Sequence, residues 1–314
     1  IFKGSEIFNI TLKAGTQAQS VLDNDGNTSL FNTREFGFDA SLFFPKFLSP
    51  IKLKNFTKEY QPRTTLAIGF NFQARPIYTR QISVLSFGYN WMKNKYEQHI
   101  LTPLTLNSVK VDPTPSFEAI LQQETNQRIK DQYTSHLIFG LDYTYIFNNQ
   151  NIRLTKDFFY FKANVQSSGN LLSLFNNTAA IKTVDNYHEI YGIRYAQYIR
   201  FAFDFRYFKY VYGENQIATR LMMGAGIPYG NSNDMPFEKS FYAGGSNSMR
   251  GWQFRELGPG TFNNPDNLNI ERIGDIQLEF NLEYRFPVYR FIKGAIFTDI
   301  GNIWTMKDNK TFAG

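Results

Sequence analysis

Asp275-Ile276-Gln277-Leu278-Glu279-Phe280-Asn281-Leu282-Glu283-Tyr284 alternates without a break: Ile276, Leu278, Phe280, Leu282 and Tyr284 fall on one side, Asp275, Gln277, Glu279, Asn281 and Glu283 on the other. Side chains of a strand point alternately to its two faces, so this stretch reads as a strand with one apolar and one charged face. In a soluble sheet the apolar face lies in a core. In a membrane barrel the pattern is turned inside out, with the apolar face on lipid and the charged face on a watery lumen. How often the pattern recurs, and for how long, decides between the two.

Working outward, about eleven segments alternate in this way. Phe8, Ile10, Leu12 and Ala14 oppose Asn9, Thr11, Lys13 and Gly15; Phe36, Phe38, Ala40 and Leu42 oppose Glu35, Gly37, Asp39 and Ser41; Leu66, Ile68, Phe70 and Phe72 oppose Thr65, Ala67, Gly69 and Asn71. Then come Leu85 to Trp91, a weaker segment over 98–106 interrupted by Pro103, Leu137 to Tyr145, and Phe159 to Val165. Ile199, Phe201, Phe203 and Phe205 against Arg200, Asp204 and Arg206 precede 217–227, the opening stretch, and 293–304. Strands of a β-sandwich average about 5–6 residues, whereas many of these run for about 9–12. Their apolar faces are stacked with Phe and Tyr, and their polar faces carry both signs of charge, including Lys13, Asp39, Asp142, Lys162, Arg220 and Glu35. These features predict an all-β fold, a transmembrane antiparallel β-barrel, in which each crossing takes only about ten alternating residues.

Composition fits that reading. Aromatic residues make up 17% of the chain, with 32 Phe and 19 Tyr, yet hydrophobic residues are only 42% and the mean hydropathy is -0.37. Apolar side chains are thus diluted by polar ones, and no apolar run approaches the length of a membrane-spanning helix. The chain contains no cysteine, which removes disulfides and thiolate metal sites. The net charge of +6 is spread among 27 acidic residues with no concentrated basic patch, so nucleic acid is not an expected partner. The start at Ile1 lacks the pattern of a signal peptide, and an export signal is expected to have been removed or to lie outside the sequence.

Connections fall into two classes. Short links occur at Gly213-Glu214-Asn215 and around Lys93-Asn94-Lys95, long ones over 17–33, 106–133, 167–195 and 227–273. Strand parity places all four long ones at the same end, as in outer-membrane barrels with short periplasmic turns and long external loops. The link from Pro45 to Pro62 is long for a periplasmic turn and fits less well. Only Ser116 to Lys130 reads as helix, with Phe117, Ile120 and Leu121 on one face after Pro115. Bacterial single-chain barrels close with an even number of strands, and an open sheet would leave backbone groups unpaired in hydrocarbon. Residues 1–314 are therefore expected to form one partial barrel domain, incomplete or closed at its edges by something else.

The connection 228–273 carries Tyr242-Ala243-Gly244-Gly245, then Met249-Arg250-Gly251-Trp252, then Leu257-Gly258-Pro259. The next strands carry Leu278-Glu279-Phe280 and Phe297-Thr298-Asp299-Ile300-Gly301-Asn302-Ile303-Trp304. In this order the motifs resemble the BamA/TamA superfamily, outer-membrane barrels that insert other barrels or move polypeptides across the membrane. The Gly-Pro-Gly variant and the Asn- and Phe-rich staves look closest to the TamA-like lipoprotein branch, TamL. The resemblance implies a sixteen-stranded barrel in the bacterial outer membrane, of which this chain would span strands three to thirteen. The POTRA repeats, the first two strands, the last three and the seam between first and last would then be missing. It also implies that loop 228–273 folds back into the lumen, with a motif of Gly244, Gly245, Arg250, Gly251 and Trp252, and that Arg250 meets the inner wall at Glu279, Phe297 and Asp299. The residues suit this: Glu279 lies on the polar face, and a guanidinium in a confined space gains from bidentate contact with carboxylates. Read from the residues alone, Arg250 would equally serve as a surface loop arginine and Asp299 as a turn residue.

The partners implied are the lipid bilayer, client outer-membrane proteins, and accessory periplasmic, inner-membrane or lipoprotein subunits. Work would be done by templating an incoming strand at an exposed edge and disturbing the bilayer locally, not by making bonds, so no enzyme, cofactor or metal is expected. A passive pore or solute channel and a structural barrel within a larger outer-membrane complex are the alternatives. Enzyme signatures fail on inspection. Gly244-Gly245-Ser246-Asn247-Ser248 lacks the last glycine of a nucleophile elbow, and His99, His136 and His188 are scattered near strand ends or loops and read as rim residues. Asp23-Asn24-Asp25-Gly26-Asn27 misplaces the glycine of a calcium loop and has Arg34 at the twelfth position, which favours a turn. Trp91, Tyr89, Tyr207, Tyr210 and Trp304 read as interfacial girdles.

Overall fold

The computed structural model describes residues 5–17, 33–48, 62–124, 126–178, 181–184, 186–261 and 272–307. Segment Asp23–Asn27 and most of the link from Pro45 to Pro62 lie outside these residues. Among the described residues there are fourteen strands: β1 (Ile7–Gln17), β2 (Thr33–Phe44), β3 (Arg63–Ala74), β4 (Tyr78–Met92), β5 (Glu97–Pro113), β6 (His136–Asn148), β7 (Phe158–Ser168), β8 (Ile181–Val184), β9 (Tyr187–Ile190), β10 (Ile193–Tyr195), β11 (Tyr198–Tyr212), β12 (Asn215–Pro228), β13 (Ile276–Tyr289) and β14 (Ile292–Trp304). Eleven of them follow one antiparallel path, β1 to β7 and then β11 to β14. The alternating segments of the sequence fall on these eleven. The short β8, β9 and β10 belong to the β7–β11 connection, which the sequence presents as a plain loop; β10 adds in parallel to the end of β6, Arg194 opposite His136.

The wall is inside out relative to a soluble sheet. On β13 the side chains Leu278, Phe280, Leu282 and Tyr284 are between 37% and 45% exposed, while Gln277 and Glu279 are 4% and 0% exposed. β1 repeats this, with Phe8, Ile10 and Leu12 all exposed and Lys13 on the other face paired with Asp39 of β2. An apolar band of this extent has no place in water and suits hydrocarbon. Outward aromatics ladder across neighbouring strands, Phe147 on Phe159 at 4.8 Å and Phe161 near Phe203 at 6.5 Å between ring centres. Among the described residues no helix is long and apolar enough to cross a membrane. The chain is a transmembrane β-barrel domain by fold.

Two local expectations are revised. The segment weakened by Pro103 is part of the longest strand, β5 of 17 residues. Its register against β6 shifts between Thr102 and Thr105, so the proline, which has no N–H to give the ladder, sits in a bulge. The helical stretch is two helices, α1 (Pro115–Gln123) and α2 (Gln127–Gln132), because Glu124 turns extended and Asn126 starts afresh by accepting a hydrogen bond from the Arg128 amide at 3.0 Å.

The long-loop end is plugged. Phe117, Ile129 and Tyr133 of the helical connection pack on Tyr78, Val109 and Val111 where β4 and β5 rise. On β12 the inward positions Gly224 and Gly226 leave a bare strip, which residues of the 228–273 connection fill. A Cβ on Gly224 would meet the Phe241 ring at 2.3 Å, and one on Gly226 would meet Met235 at 2.8 Å. Phe241 then joins Ala243, Met249 and Ile303 in a small apolar core that seats the loop against β14.

Candidate functional site

Two bridges close the neck of the loop, Phe241 with Gly274 and Ala243 with Leu257. Between them the chain makes tight turns at Gly244 and Gly251, with φ of 109° and 96°, where an L side chain is strained. At Gly244 there is also no room, since a Cβ would stand 2.1 Å from the Gln253 carbonyl oxygen. Gly245 donates its amide to the Trp252 carbonyl at 2.9 Å, so the tip from Ser246 to Gly251 forms one small ring. Arg220 of β12 fastens it from below, giving Nη1 to the Asn247 carbonyl at 2.7 Å.

Arg250 leaves this ring and lies against the polar face of β13 and β14. Its Nε and Nη2 donate to the two oxygens of Asp299 at 2.8 and 2.7 Å, and its backbone amide donates to the same carboxylate at 3.0 Å. Nη1 donates to Glu283. The guanidinium carbon stands 3.6 Å from the centre of the Phe297 ring. Asn281, opposite Asp299 in the ladder, donates to Asp299 at 2.9 Å and to the Ser248 carbonyl at 3.1 Å, tying tip and wall together.

Of the expected wall residues, Asp299 and Phe297 stand beside Arg250 and Glu279 does not. Glu279 is wholly buried one rung nearer the long-loop end and accepts from Ser248 Oγ at 2.5 Å and Gln277 Nε2 at 2.7 Å. The arginine reaches past it to Glu283, because Asp299 pairs with Asn281 and the inward carboxylates flank that rung on both sides. Gly244, Gly245 and Gly251 shape the tip, and Trp252 is half exposed. Below the tip a cavity of about 570 Å³ is lined by Arg206, Arg220, Arg250, Arg285, Glu283 and Asn281 among others. Asp204 bridges Arg206 and Arg220 at 2.7 and 3.0 Å, so the polar face of β11 and β12 carries a connected ionic network. The arrangement holds a loop in place.

A second polar cluster, not visible in the sequence, locks the long-loop end. Arg128 of α2 makes a fork on Asp275, Nη1 to Oδ2 at 2.8 Å and Nη2 to Oδ1 at 2.9 Å, both side chains at most 5% exposed. Arg80 lies 4.2 Å above the Phe237 ring and 3.5 Å from Glu238, whose carboxylate also accepts from His136 Nε2 at 2.8 Å. His136 is thus a buried structural group, not a rim residue. His99 is outward-facing, stacked on Trp91 at 5.0 Å, and His188 contacts Thr183.

Burial alone would push the Glu238 carboxyl up, but His136 and Arg80 outweigh it and hold it at about 2. Stability from a depressed carboxylate is complete above its ordinary value, 4.5, and is lost as the pH falls towards 2. Acidification through that window is expected to increase proteolysis of the 229–261 segment in intact vesicles. In Glu238→Gln that acid-dependent increment should be missing; an identical acid profile for the variant would remove Glu238 from this role.

The comparisons with known proteins agree with this architecture. The chain is 30% identical over 101 residues to the outer membrane protein assembly factor BamA of Neisseria meningitidis serogroup B, a match covering 29% of this chain and 12% of that protein. Its fold is similar to that of BamA from Haemophilus ducreyi lacking POTRA domains 1–3, with a TM-score of 0.61 at 14% identity over 96% of this chain and 58% of that one. The chain therefore spans about an eighth of the first relative and little more than half of the second. The model of the Omp85 superfamily domain matches residues 6–313, nearly every residue from the first strand to the last. With a lipid-facing wall and a polar interior besides, the chain belongs to the Omp85 superfamily, whose barrels sit in the bacterial outer membrane.

Proposed function

We propose that this chain is the barrel part of a protein that assembles outer-membrane proteins or translocates polypeptides, and that the 228–273 loop folded into its lumen is the element that makes it competent. The observation that carries this is the three-way seat of Arg250 on Asp299, Glu283 and Phe297. A loop secured to the wall by charge-assisted bonds, and continuous with the Asp204–Arg206–Arg220 network, obstructs a solute path and braces β13 and β14 against their neighbours. In this reading the chain corresponds to strands three to thirteen of sixteen. The Gly258-Pro259-Gly260 variant favours a TamA-like or TamL-like role, with client barrels, periplasmic repeats and accessory subunits as partners.

A reconstitution assay separates this from a passive pore. The full-length protein in phospholipid vesicles is expected to accelerate the folding of a urea-denatured client barrel relative to empty vesicles, while steady conductance stays small. Large steady conductance without acceleration would support the pore and sink the assembly reading.

A further inference from the structure

The β7–β11 connection leaves the barrel by turning outward over its rim. Gly169, with φ of 79°, directs the chain into the short helix α3 (Asn170–Ser173). Asn170 donates to Ser167 Oγ at 2.8 Å. Ser167 pairs with Leu141 and Ile199, which belong to the apolar outer face of the wall, and α3 lies against β6. The helix therefore starts on the lipid side of the barrel at its long-loop end.

The segment is pinned at both ends. Asn170 Oδ1 accepts from Gln197 Nε2 at 3.1 Å and from the Tyr229 hydroxyl at 2.9 Å. Asn176 Oδ1 accepts from the hydroxyl of wholly buried Tyr195 at 2.8 Å. Between these anchors Leu171, Leu174 and Phe175 stand 56%, 75% and 57% exposed. Their spacing of three and four residues puts them on one side of a helical turn. The chain turns polar directly afterwards, at Asn176-Asn177-Thr178. A held apolar cluster followed by a polar edge matches the boundary between acyl chains and headgroups.

We infer that Leu171, Leu174 and Phe175 form a foot that inserts into the outer leaflet of the bilayer beside β6 and β7. What favours lipid over a protein partner is continuity: the cluster extends the apolar outer face that includes Leu141, 42% exposed, and Ile227, 40% exposed. The foot lies in the middle of the strand path, far from β1 and β14, where it would steady the wall and leave the outer strands free to move.

Because the chain has no cysteine of its own, Leu174→Cys, Ile199→Cys and Tyr191→Cys each add a single site for a nitroxide label to the barrel, and any cysteine outside residues 1–314 of the full-length protein is first replaced by serine. The hosts are vesicles of phosphatidylcholine and phosphatidylglycerol, with power-saturation EPR reading collisions with oxygen and with a water-soluble nickel chelate. Position 199 marks lipid, and position 191, 98% exposed at a hairpin tip, marks water. The label at 174 is expected to lose nickel collisions and gain oxygen collisions relative to 191, approaching 199. Phe175→Cys repeats the measurement should Leu174→Cys fold poorly. Nickel access equal to that at 191 would overturn the inference. So would a label open to water in vesicles but shielded in native outer-membrane fragments, which would point to a covering protein.

Discussion

Asp275→Ala is expected to open the long-loop end of the barrel while leaving the strand wall in place. The parent residue holds both Nη atoms of Arg128 and also accepts the Met306 amide at 3.0 Å. Taking away one half of a buried ion pair leaves the other charge without its counterpart, at a cost of about 3–5 kcal/mol. Asp234, 3.5 Å from Arg128, remains and moves the expected loss towards the lower figure. Helix α2 is short and carries little packing beyond Ile129 and Tyr133, so the loss should be local and appear as release of α1 and α2. Hydrogen exchange in vesicles is the measurement: faster exchange over 114–135 with β6 and β13 still protected. Replacing both partners, Arg128→Met with Asp275→Leu, removes the stranded charge and should restore much of the protection. Unchanged exchange in Asp275→Ala would show that the apolar cluster of Phe117 and Tyr133 holds the cap alone.

The wall was legible because its rule is local. Each lipid crossing needs outward apolar and inward polar side chains in strict turn, and a stretch such as Ile276 to Tyr284 states its faces without reference to any other residue. Pro103 misleads for the same reason: locally it breaks a strand, and only the partner register of β6 shows that a bulge absorbs it. The caps were hidden because they are built from distant groups. Arg128 and Asp275 are 147 residues apart, and nothing near either announces the other. The alternating glycines at 224 and 226 on the polar face of β12 were a readable sign, since bare inward positions invite a loop to pack there.

The loop site was legible in kind and not in register. The family resemblance implies that Arg250 meets the wall at Asp299 and Phe297, but a period of two assigns a face and cannot say which rung a loop reaches. That depends on how far the tip descends, fixed by Phe241 in the Gly224 slot and by Ser248 on Glu279. Ser248 and Gln277 both donate to Glu279 Oε1, and the arginine reaches Glu283 instead.

The largest functional effect is expected from that arginine. Arg250→Ala should leave the barrel folded and inserted, because the wall's ladder hydrogen bonds from β11 to β14 do not pass through the loop. It should nevertheless abolish accelerated client folding, since Asp299, Glu283 and the Phe297 face all lose their shared partner at once. Arg250→Lys keeps the charge but offers no planar fork, cannot span Asp299 and Glu283 together, and should be nearly as defective. Charge-assisted hydrogen bonds contribute about 1.5–3 kcal/mol each, so Arg250→Ala and Asp299→Ala should be strongly non-additive, the double variant little worse than either alone. The check is a double-mutant cycle on the thermal release of the loop, followed by protease cleavage between 246 and 256, with client folding measured in parallel. Normal client folding by Arg250→Ala would dissociate the seated tip from the assembly role. Additive losses in the cycle would mean that Arg250 and Asp299 act apart despite their contact.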